Sequence, residues 1–323
     1  MKVSVGTFNL NNLFSRYNFE GEIDAIQKDD TSVDSQVLYR FGPQDTFKIR
    51  SYMGRLVKAK DETDTLKIAS RIWQMDLDVL AVQEVEDIDT LRNFNRDHLA
   101  GRYPHVTLIE GNDPRLIDVG LLSKLPIGGI TSWQQATHPE DPSNPVFGRD
   151  LLEVDIMSPT HSRKLFTIFV NHLKSHYVDF REDPVAGEEA NNQRRRRQSE
   201  MVATIVRART RPSSKYVVLG DMNDPAESPL LGAFTSDPAL GLVNALTAPQ
   251  ELGTMKQDTP PPPSTAWTHR FKVSGEPARY ELYDQIWLSP PLAARLQESW
   301  ILRRENLTGD GSDHDPAWVV LDV

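Results

Sequence analysis

The alternation of apolar and polar positions reads as a series of strands interrupted by a few helices. Val3, Val5 and Phe8 stand among small or polar residues over 3–10, the pattern of a strand. Leu66, Ile68, Ala69, Ile72, Trp73 and Met75 recur at helical spacing over 63–75, and 78–82 (DVLAV) is a short buried strand. A second helix is predicted over 88–99, with strands over 106–110 and 115–123, the latter turning through 124–127 into another. Residues 151–157 and 165–170 suggest an antiparallel pair around a turn at 158–163. Met201, Ile205 and Ala208 place a helix over 188–209, and 217–224 (VVLGDMND) is a strand that stops at a sharp turn. Residues 267–271 and 280–288 read as a hairpin, and 317–321 as the last strand. Residues 15–60 read as a polar loop insertion, 133–149 as a loop, and 225–252 as mixed helix and turn. The TPPPPS segment at 259–264 is a stiff connector too short to separate domains. With no repeat and no boundary, the expectation is one α/β domain over 1–323.

Polar residues gather where these strands end. Gly220 lets the backbone approach a neighbour closely, and Asp221 and Asn223, two apart, point the same way in an extended segment. A carboxylate beside an amide can hold a water and orient a phosphoryl oxygen; the same residues can also simply form an Asx turn that closes the strand. Asn9 and Asn11 share a face at the end of the first strand, and Glu84 follows a core strand. Asn171, His172 and Lys174 together offer a donor, an imidazole and a cation, or else an exposed polar loop. Arg194–Arg197 is a basic run inside a helix, read first as a solvated face.

Composition narrows the chemistry. The 323 residues carry a net charge of −10 at 38% hydrophobic content, with a mean hydropathy of −0.47. That excludes an extended nucleic-acid-coating surface but not a locally basic groove. No apolar run approaches the roughly 18 residues of a membrane helix. Cysteine is absent, so disulfide-linked partners, thiolate metal sites and cysteine nucleophiles are excluded. The N-terminus enters a strand with no secretory pattern, and a cytoplasmic location is expected.

In order along the chain, NLNNLF, QEVE, NHLKS, GDMND, YDQI and SDHDP resemble the endonuclease/exonuclease/phosphatase superfamily, the fold of DNase I. The resemblance spans nearly the whole chain, with GDMND and SDHDP its most specific pieces. It implies a four-layer α/β sandwich, two mixed sheets packed face to face with helices outside and a site at one edge. By the same resemblance Glu84 is the principal metal ligand, supported by Asn11, where some relatives have aspartate, and by Asp313. Asp221 is the base that activates water, Asn223 orients water and phosphate, and His314 contacts the phosphoryl group with Asp284 behind it. His172 lies toward the leaving group, as phosphate binder or general acid. Asn9 is a phosphate donor or supporting residue, and Asn171, Lys174 and Arg115 are further substrate-binding candidates, with Asp118 beside them. Oxygen donors without cysteine suit Mg²⁺ or Mn²⁺.

The expected activity is therefore metal-dependent hydrolysis of a phosphate ester by activated water, as a nuclease or phosphodiesterase. A phosphomonoesterase or lipid phosphodiesterase is the alternative on the same fold, and a catalytically inactive binding domain is a third reading. No GxSxG elbow points to a serine hydrolase. Nucleic acid is the expected substrate, on the strength of Arg194–Arg197, Lys174, and Trp267 with Phe271 as a stacking platform.

Overall fold

The computed structural model describes residues 1–15, 51–52, 55–56, 59–179, 181–256 and 258–323. Most of the expected loop insertion at 15–60 lies outside the described residues; within it, Ser51–Tyr52 pairs antiparallel with Arg55–Leu56.

Two mixed sheets form the centre. The first runs Gln250–Leu252, Leu296–Leu302, Ala317–Asp322, Lys2–Leu13, Val79–Val85, Asp118–Ser123, His105–Leu108. The second runs Val243–Asn244, Asp284–Leu288, Tyr216–Asp221, Lys164–His172, Leu152–Met157, Ile127–Ser132. Each has a parallel pair near its middle: Lys2–Leu13 with Val79–Val85, and Lys164–His172 with Tyr216–Asp221. Parallel neighbours need a long crossover. The helix Glu62–Met75 lies within the first and the helix Pro184–Arg209 within the second.

Alternation along the strands sorts side chains between two cores. Val3 and Val5 join Val79, Ala81, Val119 and Val319 in one cluster with Val154, Ile168, Val217, Leu219 and Ile286 of the second sheet. That cluster continues to Val202 and Val206 on the long helix. Phe8 and Leu10 instead join Leu80, Val82 and Leu122 against Ile68, Ile72, Leu91 and Phe94 of the two helices outside the first sheet. The layers are thus helices, sheet, sheet, helix, the expected sandwich. Among the described residues no helix is long and apolar enough to cross a membrane.

Several elements differ from the pattern reading for local reasons. The long helix begins at Pro184, four residues early, because Asp183 accepts from the Val185 and Ala186 amides and proline takes the first helical position. The strand expected from 115 starts at Asp118, since Asp113 turns the chain by accepting from the Arg115 amide at 2.9 Å. Within 133–149, Thr137–His138 and Asp141–Pro145 form a small ladder that polar composition concealed.

This topology dictates where chemistry can be built. The C-terminal ends of both parallel pairs bring Asn9, Glu84, His172 and Asp221 to the same edge. Antiparallel neighbours contribute from their starts: Asp284 pairs with Asp221, and Ala317, just beyond His314, pairs with Thr7.

Candidate active site

The GDMND segment uses both readings of its sequence. Asp221 Oδ1 accepts from the Asn223 amide at 2.9 Å, which is an Asx turn, and Asp221 Oδ2 accepts from Asn9 Nδ2 at 2.8 Å across the two sheets. Gly220 has φ +131°, and a Cβ there would lie 2.0 Å from the Asn171 carbonyl oxygen. Only glycine permits that approach of the two parallel strands. Asn11, Asn12, Glu84 and Asn223 all take positive φ, from 47° to 60°, where the strands end. Such left-handed non-glycine residues cost energy and concentrate at functional sites. At Glu84 the ladder also shifts register between Gln83 and Val85, so this side chain escapes the strict alternation of its strand.

Two histidines flank Asp221 in opposite charge states. His314 Nε2 is 3.9 Å from Asp221 Oδ2, while its Nδ1 is 2.6 Å from Asp284 Oδ2. Burial disfavours the imidazolium, but Asp284 and Asp221 outweigh it and hold the pKa well above the ordinary histidine value. His172 Nε2 lies 3.5 Å from Asp221 Oδ2 and 3.8 Å from Glu84 Oε1, longer than normal hydrogen bonds. Its buried Nδ1 has no protein partner among the described residues. Burial, reinforced by the Arg149 guanidinium, pushes His172 well below the usual range and leaves it neutral near pH 7. Burial raises Asp221 while His314 opposes the shift. In the His172–Asp221 contact desolvation thus outweighs mutual attraction on both sides.

Glu84 gathers the oxygen donors. Its Oε2 accepts from the Asn12 amide at 3.0 Å, and burial followed by the nearby Asp313 carboxylate raises its pKa. Asp313, half exposed, is pushed up by burial but held well below the usual carboxylate range by His269 and then His314. Glu84 and Asp313 repel one another, and such paired carboxylates suit a hard divalent cation, whereas Asn11 Oδ1 accepts from Asn12 Nδ2 at 3.1 Å. Converging donor atoms, all within 4.8 Å, occur in two further groups: His269, Asp313 and His314, and Asp221, Asp284 and His314. In the second, His314 Nδ1 and Asp284 Oδ2 are joined by the short hydrogen bond, while Asp284 Oδ1 is buried without a hydrogen-bond partner among the described residues.

Some candidates stand apart. Asn171 is adjacent to His172 and so faces the other side of the sheet, where its Nδ2 donates to the Phe169 carbonyl at 3.2 Å. Arg115 and Lys174 line a cleft beside the site, and Asp118, with its pKa raised to about 7 by burial, accepts from the Gly111 amide at 2.7 Å. Two supports for a nucleic-acid surface are corrected. Trp267 is 1% exposed, with the Arg303 guanidinium 3.9 Å above its ring and Tyr280 against its edge, so it offers no stacking platform. Arg195 is 0% exposed, bound to Asp224 at 2.8 Å and to the Lys174 carbonyl at 2.6 Å; Arg196 and Arg197 both pair with Glu140 at 2.9 Å. Only Arg194 of that run lines the cleft.

Three site residues escaped the sequence reading. Arg149, buried, donates to the Leu173 carbonyl at 2.5 Å and bears on both His172 and Glu84. Lys60 donates to the Asn11 carbonyl at 2.5 Å. His269 stacks on Tyr283 with ring centroids 5.1 Å apart and lies 4.9 Å from the His314 ring. The first two came from segments read as loops; the third sits in a hairpin where only aromatic residues drew attention.

Comparison with known proteins agrees with this architecture. No curated protein is significantly similar to the chain in sequence. An endonuclease/exonuclease/phosphatase from Bacteroides vulgatus superposes with a TM-score of 0.60 at 16% identity, covering 100% of this chain and 99% of its own. A humanized D. rerio TDP2 does so with 0.57 at 14%, covering 100% and 99%. The Bacteroides thetaiotaomicron mannosyl-6-phosphatase Bt3783 gives 0.57 at 14%, covering 99% and 100%. At such identities these likenesses speak for the fold alone. The residues themselves go further: 6–314, from the first strand through His314, match the Endonuclease/Exonuclease/phosphatase family, and the chain belongs to it.

Proposed function

We propose that the chain is a metal-dependent phosphodiesterase that cuts its ester by direct attack of water. The observation that carries this reading is a buried carboxylate, Asp221, pinned by Asn9 and the Asn223 amide, with His172 and His314 Nε2 at 3.5 and 3.9 Å from its Oδ2. Asp221 takes the proton from the attacking water as its oxygen bonds to phosphorus, and the ester oxygen departs on the far side. His314, kept cationic by Asp284, offsets charge growing on the non-bridging oxygens. Neutral His172 donates a hydrogen bond to phosphate rather than supplying the proton as an acid. The site residues suit Mg²⁺ or Mn²⁺ held by Glu84, Asn11 and Asp313, an ion that when bound acts as Lewis acid toward the phosphoryl group.

For substrate, a phosphodiester of nucleotides is the leading reading, supported now by the cationic cleft beside His172 rather than by Trp267 or the arginine run. A phosphomonoesterase of a compact sugar or polyol phosphate is the second reading, favoured by the absence of an aromatic platform at Trp267. Hydrolysis of bis-p-nitrophenyl phosphate and p-nitrophenyl phosphate, each with Mg²⁺, with Mn²⁺ and in EDTA, tests both. Diester turnover that chelator abolishes is expected. Preference for the monoester favours the second reading, and full activity in EDTA overturns the metal-dependent account.

A further inference from the structure

Beside the catalytic centre lies a cavity of about 560 Å³, walled by the turn at 112–115, by 148–149, by the segment after His172, and by Asn191 and Arg194 of the long helix. Five cationic side chains and three carboxylates line it, in a chain whose net charge is −10. Part of that charge is internally bound. Asp113 takes Arg115 at 3.0 Å and Arg149 at 3.3 Å, which keep its carboxyl near pKa 2 against the pull of burial, and Asp179 takes Arg181 at 2.7 Å. Lys174 and Arg194 are different: among the described residues neither has a carboxylate partner. The Lys174 ammonium reaches only the Tyr177 carbonyl, at 3.4 Å. Burial first, then its cationic neighbours Arg149, Arg115 and Arg194, lowers Lys174 to about 8, with Asp113 opposing the shift.

The cavity is also joined to the chemistry. Leu173 lies between His172 and Lys174, and its carbonyl accepts from Arg149 at 2.5 Å and from Asn223 Nδ2 at 3.1 Å. One backbone group therefore ties the cation wall to the catalytic turn. Lys174, two residues beyond His172, is also close enough for its charge to act on that imidazole.

We propose that this cleft is a second-anion subsite, in which Lys174 and Arg194 hold a further phosphate of the substrate close to the ester that is cut. It rests on the phosphoesterase reading above and adds the substrate class: phosphate esters that carry a neighbouring phosphate, whether in a short nucleotide chain or on a compact polyol.

The test compares two chromogenic esters with one leaving group, thymidine 5′-(p-nitrophenyl phosphate) with and without a 3′-phosphate. The 3′-phosphate should raise kcat/KM by about tenfold or more, the value of one good charge-assisted contact. Arg194→Gln and Lys174→Gln should each bring that ratio toward one. Equal kcat/KM for the two esters in the wild-type protein, or a ratio that neither variant changes, overturns the subsite and leaves the phosphoesterase reading standing. Failure to turn over either ester with Mg²⁺ or Mn²⁺ overturns that reading and the subsite with it. Inhibition by an oligothymidylate or by myo-inositol 1,4-bisphosphate, relieved in Arg194→Gln, supports the subsite and identifies which molecule brings the phosphate. Inhibition by neither overturns it.

Discussion

Asp284 does its work through another residue. Its carboxylate, 2.6 Å from His314 Nδ1, is the leading influence that keeps the imidazole charged despite burial. Because the pKa of His314 is raised, the cation persists through neutral pH and is lost only as pH climbs above the ordinary histidine range. Asp284→Asn removes the charge but keeps a hydrogen-bond acceptor. The falling limb of kcat against pH should then move to lower pH, with kcat reduced at neutral pH. An unchanged alkaline limb would mean that His314 does not carry charge in the rate-limiting step. At this scale the sequence marked polar side chains that the fold brings to one edge, Asp221 and Glu84 at strand ends and His314 before a strand. It was silent on Arg149 and Lys60, whose neighbours in sequence have no periodic pattern that would place them. A motif written along the chain also does not say which of two adjacent side chains, Asn171 or His172, lies toward Asp221.

At the scale of elements, the long helix shows how an arginine run divides its labour. Helical rotation turns Arg195 inward, onto Asp224 just past the catalytic turn and onto the Lys174 carbonyl, while Arg196 and Arg197 meet Glu140 at the surface. Four consecutive charges suggested a solvated face or a nucleic-acid contact; the buried member could be told apart only by knowing which turn of the helix packs on Asp224. Arg195→Ala leaves a buried carboxylate uncompensated and should cost about 3–5 kcal/mol. Arg196→Ala should cost within about 1 kcal/mol. Thermal or denaturant unfolding of both variants checks this contrast, and equal small losses would contradict the interior role of Arg195. The two parallel pairs were likewise legible only in part. The strands could be read from valine-rich alternation, but their pairing depended on crossovers that local pattern does not encode.

Over the whole molecule, a net charge of −10 accompanies a small cationic cleft. A polyanion held only there should show a shallow salt dependence, since few phosphates can be neutralised. For single-stranded DNA, each neutralised phosphate contributes roughly −0.7 to the slope of log affinity against log salt, so Lys174 and Arg194 predict a slope of about −1.4. Titration of a labelled oligonucleotide between low and moderate salt measures it. A slope of about −6 would require far more phosphate contacts than this cleft supplies.

The central claim is that Asp221 is the base in a metal-dependent hydrolysis, and one measurement meets it most directly: kcat of Asp221→Asn for bis-p-nitrophenyl phosphate at saturating Mn²⁺, with circular dichroism to verify the fold. Asparagine still accepts from the Asn223 amide and nearly matches aspartate in shape, so the turn should survive. Removal of a positioned base costs on the order of 10²–10⁴ in rate. The account predicts a folded variant whose kcat falls by at least a few hundredfold. A folded variant that retains near wild-type kcat would contradict it.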